Sequence, residues 1–303
     1  MYQRILAALT IGSLCMLSNG AVADGVQDAL LLDPPHDPEH PAAVIELSIP
    51  SHGERLPGHL YVASGEGPHP TIVLLHGLPG NERNLDIAQA LRRMGFNTLY
   101  FQYRGAWGAT GQFRFTQLSD DAIAVLDYLR EPERAKAFRV DLRALSVLGH
   151  SLGGFTALAT GARDEGLQCV VSLSPANLAL WKNGIGDAGG ATTLRLKPYA
   201  DSLYMLRGLT GERLEEELLV ADSTVLDTTG FGPGLQGKAV LMMVGVQDEV
   251  TPAATMFDPV VEAYSELGGI DLTARRISGD HSFSWSRIAL TREVLSWADA
   301  RCR

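Results

Sequence analysis

Ser151 stands at the centre of Gly149-His150-Ser151-Leu152-Gly153, a spacing that can hold a serine nucleophile on a strained turn. The apolar run Leu145-Ser146-Val147-Leu148 before it reads as a buried strand. Gly154, Ala157, Ala159, Gly161 and Ala162 after it read as a helix with a small-residue face. Glycines two residues either side of the serine let the chain turn sharply without side-chain clashes. The turn lifts the hydroxyl off the sheet edge and aims the Leu152 N–H at the same point. A G-x-S-x-G pattern also occurs in ordinary strand-to-helix turns. The strand before and the helix after favour the nucleophile.

A nucleophilic serine needs a base, an acid to orient that base, and donors for an oxyanion. The strand-like run Thr71-Ile72-Val73-Leu74-Leu75 ends in His76-Gly77-Leu78-Pro79-Gly80. This glycine-rich turn can present a backbone N–H, so Leu78 and Leu152 are the expected oxyanion donors, and His76 is read as a packing residue. Downstream, Ala239-Val240-Leu241-Met242-Met243-Val244 reads as a strand followed by Gly245-Val246-Gln247-Asp248. The run 270–277 reads as the last strand, followed by Ser278-Gly279-Asp280-His281. Asp248 is the expected acid and His281 the expected base. Glu249 and Asp280 are weaker candidates, because residues adjacent on a turn point in different directions. The order Ser, Asp, His along the chain is that of nucleophile-elbow hydrolases and of neither other well-known serine protease arrangement.

These segments, together with Tyr103-Arg104-Gly105-Ala106-Trp107-Gly108, resemble the α/β-hydrolases, and within them the dienelactone-hydrolase and prolyl-oligopeptidase-like branch. The resemblance covers the chain from the forties to the C-terminus. It implies a mostly parallel central sheet with helices on both faces, Ser151 as nucleophile, His281 as general base and Asp248 as its orienting acid. That mechanism needs no cofactor, and no cysteine or carboxylate cluster in the sequence completes a metal site.

The elements that must position these groups follow in order. Residues 1–23 read as an export signal, with Arg4 ahead of an apolar stretch over 5–17 and Ala21-Val22-Ala23 as a cleavage site. The stretch is short for a membrane span, and no other segment is longer. Cys15 follows Leu14 instead of a small residue, which disfavours a lipoprotein. A bacterial periplasmic or secreted location is expected. Residues 24–41 contain Pro34, Pro35, Pro38 and Pro41 and read as an extended arm. Prolines around His36 and His40 prevent the helix that would align them on a metal. The hydrolase domain is then 42–303. It opens with an antiparallel pair over 43–49 and 57–62, then alternates strand and helix, with Ser119 as the expected N-cap of one helix. The alternation breaks over 177–237, which reads as a small cap insertion. Gly232 to Lys238 has the spacing of a phosphate loop, but Ala239 replaces the hydroxyl residue and a strand follows where a helix is needed.

Removing residues 1–23 from the 303 leaves 280, enough for one large α/β domain, and losing Arg4 moves the formal net charge from −10 to −11. An acidic chain lacks the basic face that nucleic acid or an anionic membrane requires. Only Cys169 and Cys302 remain after cleavage. Cys169 reads as a small core hydrophobe, and no bridge between the two is expected.

The leading reading is hydrolysis of a small carboxylic ester through an acyl-enzyme. A serine exopeptidase acting on short peptides is the alternative, weakened by the lack of a propeller or large N-terminal domain. A non-catalytic binding protein on the same scaffold would usually lack a triad member, and acyl transfer to an alcohol would use the same groups. Trp107, Trp181 and Phe283 are expected near the substrate, as are Tyr204, Phe113 and Phe115, with core packing the competing role for each.

Overall fold

Strands rich in β-branched and aliphatic residues build the centre of the molecule. In the computed structural model, which describes residues 19–186 and 191–303, eight of them form one sheet in the order β1-β2-β4-β3-β5-β6-β7-β8. The strands are β1 (Ala43–Ser51), β2 (Glu54–Val62), β3 (His69–Leu75), β4 (Asn97–Phe101), β5 (Val140–His150), β6 (Cys169–Leu173), β7 (Ala239–Gly245) and β8 (Asp271–Ile277). β2 runs antiparallel to β1 and to β4, and every other pairing is parallel. Strands β4 and β6 are buried at every position, as expected for parallel strands covered on both faces.

Period-two alternation divides the core into two layers. Val73, Val147, Val170 and Val240 face one side, packed with α3 (Leu118–Arg130), α5 (Leu152–Arg163) and α10 (Asp258–Leu267). Their neighbours Ile72, Leu148, Val171 and Leu241 face the other, packed with α2 (Leu85–Arg93) and α11 (Arg287–Arg301). A further short helix, α4 (Pro132–Ala137), precedes β5.

Three expectations are corrected. The arm expected to be extended over 24–41 is helical in its first part: α1 (Asn19–Leu31) buries Val26 and Ala29 in the layer shared with α2 and α11. Its prolines act only beyond Leu31, where the chain is irregular up to β1 and Asp37 accepts the N–H groups of Glu39 and His40. Residues 1–18 of the expected export signal lie outside the described residues. Ser119 does not cap α3. A short 3-10 turn, Phe115–Gln117, leads into that helix and puts its N-cap at Gln117, two residues earlier, and the Ser119 hydroxyl accepts from Arg163. Finally, Cys169 and Cys302 form a disulfide, with their Cα atoms 5.8 Å apart. Helix α11 runs back along the sheet and delivers Cys302 to the start of β6, a meeting of residues 133 apart that no local pattern announces.

The region between β6 and β7 holds α6 (Leu178–Gly186), α7 (Ala191–Ser202), α8 (Gly211–Val220) and α9 (Gly232–Leu235). Gly189 and Gly190 of its glycine-rich stretch lie outside the described residues. Thr210 caps α8 through its side chain, and Leu214 and Leu218 are the buried stripe of that helix. The segment is fastened to the body by main-chain bonds. Trp107 N–H donates to Met205 O at 2.9 Å, Arg207 N–H to Gly105 O at 2.7 Å, and Phe113 N–H to Arg207 O at 2.9 Å.

The disulfide closes a long loop, and the chain-entropy argument assigns such a bridge roughly 4–5 kcal/mol. Oxidised protein should therefore have a higher urea midpoint than reduced protein, and Cys302→Ser should match the reduced wild type. Identical midpoints with and without reductant would refute the bridge.

Candidate active site

The nucleophile elbow is built by backbone crowding. A Cβ on Gly149 would lie 1.8 Å from Gly153 O, and a Cβ on Gly153 would lie 1.9 Å from Leu75 O, so neither position admits a side chain. Between them Ser151 takes φ 60° and ψ −119°, a conformation L-residues rarely adopt. Its N–H donates to Leu173 O at 2.9 Å and its carbonyl accepts from Ala176 N–H at 3.1 Å, which hold the turn against β6.

Asp248 and His281 arrive on the loops after β7 and β8. The Ser151 hydroxyl donates to His281 Nε2 at 2.9 Å, and His281 Nδ1–H donates to Asp248 Oδ2 at 2.8 Å. The Asp248 carboxylate is enclosed and fully provided with donors. Oδ1 accepts from Val250 N–H at 2.9 Å and Thr251 N–H at 2.8 Å, and Oδ2 accepts from the Thr251 hydroxyl at 2.8 Å. Burial pushes its pKa up, but the bond and charge of His281 and the Thr251 donors outweigh that and bring it down to about 2. The rivals point away. Asp280 accepts from Ser284 N–H, and Glu249 is exposed.

The turn after β3 lies against the serine. A Cβ on Gly77 would stand 3.1 Å from Ser151 Cβ and 3.0 Å from His150 O. Leu152 is the first residue of α5, where a helix leaves its N–H groups without internal partners. Neither its N–H nor that of Leu78 meets a backbone acceptor among the described residues. Both residues thus sit in the turns that meet at Ser151, Leu78 one residue after Gly77 and Leu152 directly after the serine.

The aromatic residues divide. Trp107 is half-buried beside this turn, and its indole N–H donates to Pro79 O at 2.6 Å. Phe113, Phe115 and Trp181 form an edge-to-face series, with ring centroids 5.3 and 6.2 Å apart, that joins the cap to the body. Phe283, expected near the substrate, is fully enclosed and packs against His150; it presents no surface to a ligand. Tyr204 is 90 % exposed on the outside of the cap. His76 packs on Tyr103, its Nδ1–H donating to Gly77 O at 2.8 Å.

Two participants were not singled out by sequence. Thr251 lies three residues after Asp248 and holds it as described. The only cue is the short Asp-x-x-Thr spacing, at which side chain and main chain can bond locally. His150, the variable residue of the elbow motif, is buried, and its Nε2–H donates to His281 O at 2.7 Å. No local signal reports a contact across 131 residues.

Burial lowers the pKa of His76 to about 4 and, together with the nearby His281 charge, that of His150 to about 3, against an ordinary 6.5. Both stay neutral in the fold while the unfolded chain takes up protons below pH 6.5, so stability falls as pH drops from 6.5 toward 4. The Asp248 contribution is present above pH 3.8 and is lost only as pH falls toward 2. The urea midpoint should thus decline well before the carboxylates titrate, and His76→Gln should make that decline shallower. An unchanged slope in the variant would show that His76 is not held neutral.

The profile of the family described as serine aminopeptidase S33 matches residues 66–258. The quorum-quenching protein AidA of Acinetobacter baumannii (strain MDR-ZJ06) is 32% identical over 254 residues, covering 71% of this chain and 82% of that protein. Among solved structures, a 2,6-dihydroxy-pseudo-oxynicotine hydrolase superposes with a TM-score of 0.64 at 23% identity, covering 87% of this chain and 69% of the other. Est1E from Butyrivibrio proteoclasticus, solved with ferulic acid bound, gives 0.63 at 19% identity, covering 84% and 98%. The two structural likenesses carry the fold, and the profile carries the family: the chain is a serine hydrolase of the S33 family within the α/β-hydrolase superfamily.

Proposed function

We propose that the protein hydrolyses carboxylic esters through Ser151, His281 and Asp248. The observation that carries the reading is the unbroken hydrogen-bond chain from the Ser151 hydroxyl through the imidazole to a buried, ionised carboxylate. The Ser151 oxygen attacks the ester carbonyl while its proton passes to His281 Nε2. Asp248 holds Nδ1–H and balances the imidazolium, and the Leu78 and Leu152 N–H groups take the oxyanion. Collapse of the tetrahedral species expels the alcohol, which receives the proton from His281. Water then attacks the acyl-enzyme with His281 again as base, releasing the acid and restoring Ser151.

Leu78 and Trp107 pack on the apolar core cluster that contains Leu152, Phe115, Trp181 and Leu206, which fixes the two turns beside Ser151. The aminopeptidase reading needs an acid to hold a substrate ammonium group, and in the acidic run of α8 two of the three glutamates are engaged and the third points outward. Glu215 pairs with Lys197, Glu217 accepts from Thr116, and Glu216 faces solvent. The test is kcat/KM for an aminoacyl ester and the matching nitroanilide on one preparation. The ester should be favoured by a wide margin. Ser151→Ala should lose about 10⁴ to 10⁶ in rate and its labelling by a fluorophosphonate, and Asp248→Asn roughly 10³ to 10⁴. Asp280→Asn should cost far less. Comparable ester and amide rates, with the amide rate falling on Glu216→Gln, would move the assignment to an exopeptidase.

Export is part of the same reading. Arg4, the apolar stretch and Ala21-Val22-Ala23 make a signal, and a disulfide is at home in an oxidising compartment. Protein recovered from a Gram-negative periplasm should begin at Asp24. An intact N-terminus on mass spectrometry, or a lipid on Cys15, would overturn this.

A further inference from the structure

We propose that His150 is a positioning residue for the base: its Nε2–H, donated to the main-chain carbonyl of His281, sets the height of the imidazole over Ser151. The inference rests on the triad reading above. His281 sits in the irregular segment between β8 and α11, and that segment is anchored around it but not at it. Gly279 N–H donates to the Gln247 side chain, Gln247 N–H to Gly279 O, and Asp280 takes the N–H groups of Phe283 and Ser284. The carbonyl of His281 itself meets one donor among the described residues, His150 Nε2–H at 2.7 Å.

The donor is well placed to be rigid. His150 is 4 % exposed, ends β5, and is wedged between the His281 ring at 4.8 Å and the Phe283 ring at 6.3 Å. It is also covalently joined to the nucleophile, so residues 150 and 151 grip both ends of the reacting pair. The first takes the backbone of the base, and the second meets its Nε2. A shift of the elbow therefore carries base and nucleophile together. A neutral ring is needed for this, because a second imidazolium beside His281 would oppose the proton it must accept. Burial keeps His150 in that form.

The residue touches no reacting atom, so its effect should fall on alignment and not on binding. A misplacement of about 1 Å at a reacting centre can cost on the order of 100-fold. His150→Phe, which fills the site without a donor, should lower kcat on a p-nitrophenyl ester by about 10- to 100-fold. KM should change by less than about 3-fold. His150→Gln, whose amide N–H reaches the same distance as Nε2, should restore most of kcat; His150→Asn, too short to reach, should not. The low-field proton resonance of His281 Nδ1–H should move or broaden in the Phe and Asn variants and stay in place in Gln. A purely structural role would leave that resonance and the Gln–Asn difference unmoved. Wild-type kcat in His150→Phe, or equal loss in Gln and Asn, would overturn the proposal. If the Phe variant does not fold, the Gln–Asn pair decides alone. Full activity in Ser151→Ala would instead remove the triad reading, a separate result.

Discussion

The site depends first on a contact between backbones. Gly149 and Gly153 have no room for a Cβ because the start of α5 is pressed onto the end of β3 and onto its own elbow. Only this approach brings the Leu152 N–H, from the helix, beside the turn that carries Leu78. It also forces Ser151 into its positive-φ conformation. That strain is opposed locally, by the bonds from Ser151 to Leu173 and Ala176. Moving the helix out by even one methyl group would release the strain and separate the two donors together.

How much of this was legible depends on the distance over which each feature is decided. The buried parallel strands announce themselves as apolar runs, and the elbow, the turn after β3 and the loops carrying Asp248 and His281 are marked by glycines at strand ends. These are local consequences of sequence. The first turn of α3 starts ahead of Ser119 because Phe115 to Gln117 enter it as a tighter helix, a two-residue difference in the cap that propensity does not resolve. Proline content correctly marked an irregular arm but hid α1, whose helix is stabilised by packing Val26 and Ala29 on other helices. The disulfide, the His150 contact and the latch from Gly105 to Arg207 join segments far apart in sequence. They exist only once the sheet has set the distance between them.

Electrostatics explain why Asp248 comes with so many partners. A carboxylate 5 % exposed would carry a large desolvation penalty if left with one bond. The Thr251 and Val250 N–H groups and the Thr251 hydroxyl offset it, leaving the charge available to the imidazole. The Thr251 hydroxyl also lies 3.1 Å from Ser174 O, so its one proton is shared between the acid and the chain just beyond β6. The cap is held differently. Its surface ion pair, Lys197 with Glu215, is exposed enough to contribute little. Its hold comes from the apolar cluster around Leu214 and Leu218 and from the main-chain latch.

The sheet then acts as the ruler between Ser151 and His281. β5 pairs with β6, β6 with β7 and β7 with β8 in continuous parallel register, so Gly149, Ser172, Met242 and Ala274 lie in one row. The serine and histidine loops, 130 residues apart in sequence, leave the same edge of that row. Helix α11 begins just after the histidine loop and ends at Cys302, which is bonded to Cys169 at the opposite edge of the sheet. The disulfide therefore secures the far end of the element whose near end follows His281. At about 3.3 Å per residue, the five residues of β6 keep it some 16 Å from the elbow. That separation assigns the bridge to keeping α11 docked, while the fine placement of the imidazole is left to short contacts at the elbow itself.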